Sequence, residues 1–86
     1  MAARIENTLA PDHPHWQSVD HIVHDLASSL SPRWLVRLDA NDPDCWICYV
    51  IGPGTFRALC LSRHDQNAAG VRRCLRLGVR APTSGA

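Results

Sequence analysis

The chain has 86 residues, of which 45% are hydrophobic and 20% are charged, and its formal net charge is +1. This length predicts a single domain with one small core, and the apolar fraction excludes a chain that is disordered throughout. No stretch is long and apolar enough to cross a bilayer, and Met1 to Ala10 lacks the apolar segment of a secretory signal. We therefore expect a cytoplasmic protein that has no contact with a membrane.

The charges are distributed unevenly along the chain. All nine basic residues are arginines. Residues 1–54 contain three arginines and seven carboxylates, whereas residues 55–86 contain six arginines and one carboxylate. This uneven charge distribution would allow the C-terminal half to bind an anionic partner, or two chains to associate head to tail.

The first predicted helix begins near Pro14, since proline is favoured in the first turn, and ends before Pro32. Residues 1–12 show no periodicity and are predicted to be a flexible arm. The apolar residues of the helix recur at steps of three and four and define its buried side: Trp16, Val19, Ile22, Val23, Leu26 and Leu30.

The second predicted helix spans residues 63–77. Ser62 and Asp65 have the spacing of a capping box, and Gly78 stands where a C-terminal glycine cap is expected. Residues 13–78 would then form the single domain, and residues 79–86 a flexible tail.

Three strands are predicted between the helices, at residues 33–38, 45–51 and 55–61. The middle strand is apolar or aromatic at every position, which is typical of a central strand covered on both faces. Turn-forming residues separate the strands, at Asp39 to Asp44 and at Gly52 to Gly54. The predicted fold is therefore α+β, in the order α-β-β-β-α, with a three-stranded antiparallel meander and both helices packed on one face.

Strand alternation assigns the two faces of this sheet. If Ile51 lies opposite Thr55, then Val50 meets Phe56 and Trp46 meets Cys60, so the even positions share the core face. The odd positions form a face that is too apolar for water and too basic for a closed core. Its predicted partner-binding residues are Arg33, Leu35, Arg37, Ile47, Tyr49, Arg57 and Leu59.

Motifs for metals, cofactors and catalysis are weak. Cys45 and Cys48 lie three apart within a strand and so point to opposite faces, which does not suit zinc or redox chemistry. His21 and His24 lie on the polar side of the first helix, where they can pair with nearby aspartates. No nucleophile has an unassigned base beside it, and we expect neither an enzyme nor a bound metal or cofactor.

Two functions fit these observations, and in both the protein binds a partner through its surface. The first is a non-catalytic protein-interaction module that binds through the face of the sheet formed by the odd positions. Its partner would be another protein or a second copy of the chain in a homodimer. The alternative is nucleic-acid binding through the second helix, where Arg63, Arg72, Arg73 and Arg76 are the candidate anion-binding residues.

The order helix, strand, strand, strand, helix is similar to that of the double-stranded-RNA-binding domain. In a domain of that kind, Arg63, Arg72 and Arg73 would meet phosphates. This chain has Arg63-His64-Asp65-Gln66-Asn67 where that family places a lysine-rich cluster.

Overall fold

The structure, a computed structural model, describes residues 2–80. Its elements are β1 (Arg4–Asn7), α1 (Trp16–Ser28), β2 (Leu35–Asp42), β3 (Cys45–Gly52), β4 (Thr55–Leu61), a 3₁₀ turn (Arg63–Asp65) and α2 (Ala68–Arg80). The strands form one sheet in the order β1-β2-β3-β4. Strand β1 is parallel to β2, and the other neighbours are antiparallel. The predicted α+β class is confirmed, but the three-stranded meander is wrong because a fourth strand extends the sheet.

Strand β1 lies within residues 1–12, which we predicted to be a flexible arm. Parallel neighbours need a crossover connection, and α1 supplies it, so β1, α1 and β2 form a β-α-β unit. Ala3 and Leu9 on either side of the strand are buried, and Ile5 packs against the same core. The amide of Ala3 donates to the carbonyl of Ala27 at 3.0 Å, which ties the segment to the end of α1.

Both helices pack on one face of the sheet, as predicted. Helix α1 contacts β1 and β2, α2 contacts β3 and β4, and the two helices contact each other. The shared core contains aliphatic residues of both helices and the side chains that the three antiparallel strands direct towards them. Its buried members include Val19, Val23, Ala27, Val36, Leu38, Trp46, Cys48, Val50, Leu61, Val71 and Leu75.

The predicted second helix is divided into two parts. Its first residues form the 3₁₀ turn, and α2 begins only after Asn67, whose side-chain oxygen accepts a hydrogen bond from the amide of Gly70 at 3.0 Å. Asn67 is thus the helix cap. The hydroxyl of Ser62 instead donates to the Asp65 carboxylate at 3.2 Å. The predicted cap at Gly78 is wrong, since this residue is buried within α2.

The remaining boundaries shift by a few residues. Helix α1 begins at Trp16, two positions after the predicted Pro14, and ends at Ser28. Val79 and Arg80 continue α2, so the predicted tail of residues 79–86 begins in a helix, and its residues 81–86 lie outside the described residues.

Strands β3 and β4 pair one residue away from the predicted register. Ile51, rather than Val50, lies opposite Phe56, and Val50 lies opposite Arg57. The reason is the turn: only Pro53 and Gly54 separate the paired residues Gly52 and Thr55. Gly54 has a φ of 71°, the left-handed value that the third position of a type II turn requires after proline. A shift of one residue exchanges the two faces of a strand, so every predicted face in β4 is reversed.

Candidate interaction surface

The face of the sheet opposite the helices is called the open face here. Register and strand alternation place side chains from all four strands on it. Its members are Arg4 and Glu6 of β1, Leu35, Arg37, Asp39 and Asp42 of β2, Cys45, Ile47, Tyr49 and Ile51 of β3, and Phe56, Ala58 and Cys60 of β4.

The β3–β4 half of the open face is apolar. Ile47, Tyr49 and Ile51 are half-buried by their neighbours, whereas Phe56 is 66% exposed. The rings of Tyr49 and Phe56 meet edge to face, with centroids 6.1 Å apart. Contact between these rings fixes their orientation without removing Phe56 from water. A large exposed aromatic ring beside aliphatic residues is typical of a surface that binds another protein.

The β1–β2 half of the open face carries charges centred on Arg37. Its guanidinium donates to Glu6 at 2.5 Å and to Asp39 at 3.4 Å. It also lies 5.9 Å from the centroid of the Tyr49 ring. The hydrogen bond with Glu6, opposed by desolvation and aided by the hydrogen bond with Asp39, raises the pKa of Arg37 above its usual value. The arginine therefore stays charged and is oriented between the carboxylates and the apolar half.

The predicted site residues are partly brought together. Leu35, Arg37, Ile47 and Tyr49 lie on the open face as predicted. Arg57 and Leu59 lie opposite Val50 and Cys48, which places them on the helix side of the sheet. Arg33 is exposed but precedes β2. Because of the one-residue shift in register, other side chains of β4 lie on the open face in place of Arg57 and Leu59. They are Phe56, Ala58 and Cys60.

Two of the four candidate anion-binding arginines, Arg63 and Arg73, form ion pairs. Arg63 forms a short hydrogen bond with Asp44, beside the β2–β3 turn. Arg73 donates to Asp65 at 2.6 Å. Both pairs are largely exposed and therefore contribute little to stability. They do reduce the positive potential at these two arginines.

Arg72 and Arg76 are exposed one turn apart on α2 and, among residues 2–79, form no ion pair. They line a cavity of about 390 Å³ between the two helices. The wall contributed by α1 includes Asp25 and Ser28. Because an acidic side chain lies in the wall, this cavity is not a purely cationic site.

The cysteines do not form a ligand cluster. Cys45 lies on the open face and Cys48 is buried beneath the helices, as predicted for positions three apart in a strand. The predicted contact of Trp46 with Cys60 is wrong, since Cys60 pairs with Ile47. Within residues 2–80, no three side chains of the histidine, cysteine, aspartate and glutamate types are arranged to hold a metal. In the same part of the chain, no helix has the length and apolar character needed to cross a membrane.

No known protein family, curated protein or solved structure matches this chain. The similarity to the double-stranded-RNA-binding domain therefore rests on the order of elements from α1 to α2, and β1 is an addition to that order.

Proposed function

We propose that this protein is a non-catalytic protein-interaction module that binds a second copy of itself through the open face. One observation carries the proposal: among the described residues, both helices pack on the same side of the sheet, and the other side presents a continuous apolar strip. The strip consists of Leu35, Ile47, Tyr49, Ile51, Phe56 and Ala58. Covering it would remove aromatic and aliphatic surface from water, which drives most protein association.

The charges on the open face favour a second copy over a strongly charged partner. Two arginines, Arg4 and Arg37, lie on it with three carboxylates, those of Glu6, Asp39 and Asp42. A face that carries charges of both signs and a small net charge can meet its own twofold copy without strong like-charge repulsion. The apolar strip would form the dry centre of such a dimer, and the charged half its rim.

Replacing Ile47 with aspartate is expected to weaken self-association at least about tenfold, because a twofold axis would bury two new carboxylates near each other. Light scattering on a size-exclusion column, across protein concentration, measures the change. Since the contact is mainly apolar, the native dimer should persist at high salt.

Leu77→Asp is the matched control, since it places the same charge on an exposed leucine of α2, away from the open face. Phe56→Asp is a second test, at an edge-strand position whose side chain is already 66% exposed and so contributes little to the core. A native protein that is monomeric at every concentration would contradict the proposal. So would a folded Phe56→Asp variant that dimerises as tightly as the native chain.

Nucleic-acid binding is the second candidate, and the exposed pair Arg72 and Arg76 is the observation that favours it. Their spacing of one turn would let both guanidinium groups reach successive phosphates. If they do, Arg72→Glu should weaken binding to a short RNA duplex and make the slope of log affinity against log salt shallower by about one. Arg33→Glu, an equal charge reversal at an exposed site before β2, is the control. Equal losses in the two variants would contradict a site on α2.

A further inference from the structure

Two cysteines of the open face lie with their sulfur atoms in contact. The Sγ atoms of Cys45 and Cys60 are 3.1 Å apart, and both residues are free thiols. They lie at the end of the β3–β4 hairpin that is far from the Pro53–Gly54 turn. A disulfide bond is about 2 Å long, so the two sulfur atoms need to move only about 1 Å closer to form one.

The two thiols differ in their access to solvent. Cys60 is exposed on the edge strand β4, whereas Cys45 is half-buried in β3. The hydrogen bond with Cys60, then partial burial, raises the pKa of Cys45. Cys45 is thus held as a protonated thiol beside a sulfur that solvent can reach. In this arrangement an outside reagent meets Cys60 first.

The other two cysteines provide an internal comparison. Cys48 is 1% exposed, and burial, together with the nearby Cys74, raises the pKa of its thiol to about 12. Cys74 is half-buried on α2. A thiol that stays protonated and covered is a poor nucleophile, so this second pair should remain reduced under conditions that oxidise the first.

We propose that Cys45 and Cys60 form a reversible dithiol–disulfide site that reacts with small-molecule disulfides of the glutathione type. Cys60 loses its proton to solvent and its sulfur attacks one sulfur of glutathione disulfide; the S–S bond breaks, and one glutathione leaves as a thiolate that takes up a proton. Cys45 then loses its proton to solvent, and its sulfur attacks Cys60 and displaces the second glutathione. The protein dithiol is oxidised by two electrons, and the glutathione disulfide is reduced to two glutathione molecules.

The product would be a covalent link between β3 and β4 at the end opposite their turn. The hairpin would then be closed at both ends, which restricts the relative motion of the strands that carry the apolar strip. The link forms within one chain and therefore needs no second copy. Both cysteines lie on the open face, so the reaction takes place in the dissociated chain. Exposed disulfides of this kind are reduced more easily than buried ones, so the link would be reversible.

The test is equilibration of the purified full-length protein in buffers of graded glutathione and glutathione disulfide, followed by acid quenching, alkylation and mass spectrometry. The native chain should lose two hydrogen atoms and return to the reduced mass with excess reductant. Digestion with trypsin and chymotrypsin identifies the link, since cleavage after Trp46 separates Cys45 from Cys48 and cleavage after Arg57 separates both from Cys60. The expected product joins Cys45 to Cys60.

Three variants complete the experiment. Cys45→Ser should accumulate glutathione on Cys60, because the attacking thiol is gone, whereas Cys60→Ser should remain mostly unmodified. Cys74→Ser, the control outside the pair, should still form the link. A link between Cys48 and Cys74 in place of the expected one would overturn the proposal. Accumulation of glutathione on Cys60 in the native chain would overturn it as well.

Discussion

Replacing Leu75 with alanine is expected to destabilise the fold by about 3–4 kcal/mol, since the substitution removes apolar contacts and leaves a cavity. Leu75 is completely buried, on the side of α2 that contacts the sheet and α1. A domain of this size is stable by only about 4–13 kcal/mol. The variant should therefore unfold at a much lower urea concentration, which circular dichroism measures.

The matched control is Leu77→Ala, the same substitution two residues further along α2. Leu77 is 55% exposed, so its truncation should change the free energy of unfolding by less than about 0.5 kcal/mol. The slope of that free energy against urea should stay the same in both variants, because neither change alters the surface exposed on unfolding. Similar losses at the two positions would mean that α2 packs with a different side against the sheet.

The side of α2 that packs could be predicted from the sequence, and the start of the helix could not. Val71 and Leu75 are four residues apart, and this spacing places both on one side wherever the helix begins. Ser62 and Asp65 also match a capping pattern, and they do interact, but at the 3₁₀ turn. Asn67 followed by Gly70 has the same three-residue spacing, and Asn67 is an equally good cap. The pattern alone does not decide between two overlapping caps.

Strand β1 could not be predicted because its stabilising interactions come from distant parts of the chain. Its four residues include a single apolar side chain, Ile5. Its main-chain partners belong to β2, about thirty residues away along the chain. The ion pair between Glu6 and Arg37 joins the same two strands. One indication was present in the sequence. The charged residues Arg4 and Glu6 flank the apolar Ile5, an alternation typical of a strand, and the apolar Leu9 follows.

The open face was predicted in β2 and β3 but not in β4. The pairing of β2 with β3 keeps their odd positions from Leu35 to Asp39 on the predicted face. The irregularity between Asp39 and Asp42 was not predicted, but it lies beyond these positions. In β4 the faces depended on whether the turn contained two or three residues. Gly52-Pro53-Gly54 allows both choices by composition, and Phe56 and Leu59 are each apolar enough for either face. The consequence for function is that Phe56, not Leu59, belongs to the proposed contact surface.

Replacing Gly70 with alanine is expected to destabilise the protein by about 3 kcal/mol or more, although alanine is favoured over glycine in helices by about 1 kcal/mol. A Cβ atom at Gly70 would lie 1.9 Å from the carbonyl oxygen of Asp65. That oxygen also accepts a hydrogen bond from the amide of Asn67 at 2.9 Å, so it is held in place by the backbone. To accept the methyl group, the 3₁₀ turn must move away from α2 or the first turn of the helix must unwind.

Gly78→Ala provides the comparison, because its Cβ would meet a side-chain atom, Cγ2 of Val50, at 2.8 Å. Moving α2 slightly away from β3 can relieve that contact, and the gain in helix propensity offsets part of the overpacking, leaving a loss of about 1 kcal/mol. Chemical denaturation of the two variants measures both losses. A Gly70→Ala variant as stable as the native chain would show that the 3₁₀ turn does not approach α2 this closely. The Asn67 cap, which depends on the same turn, would then also be in doubt.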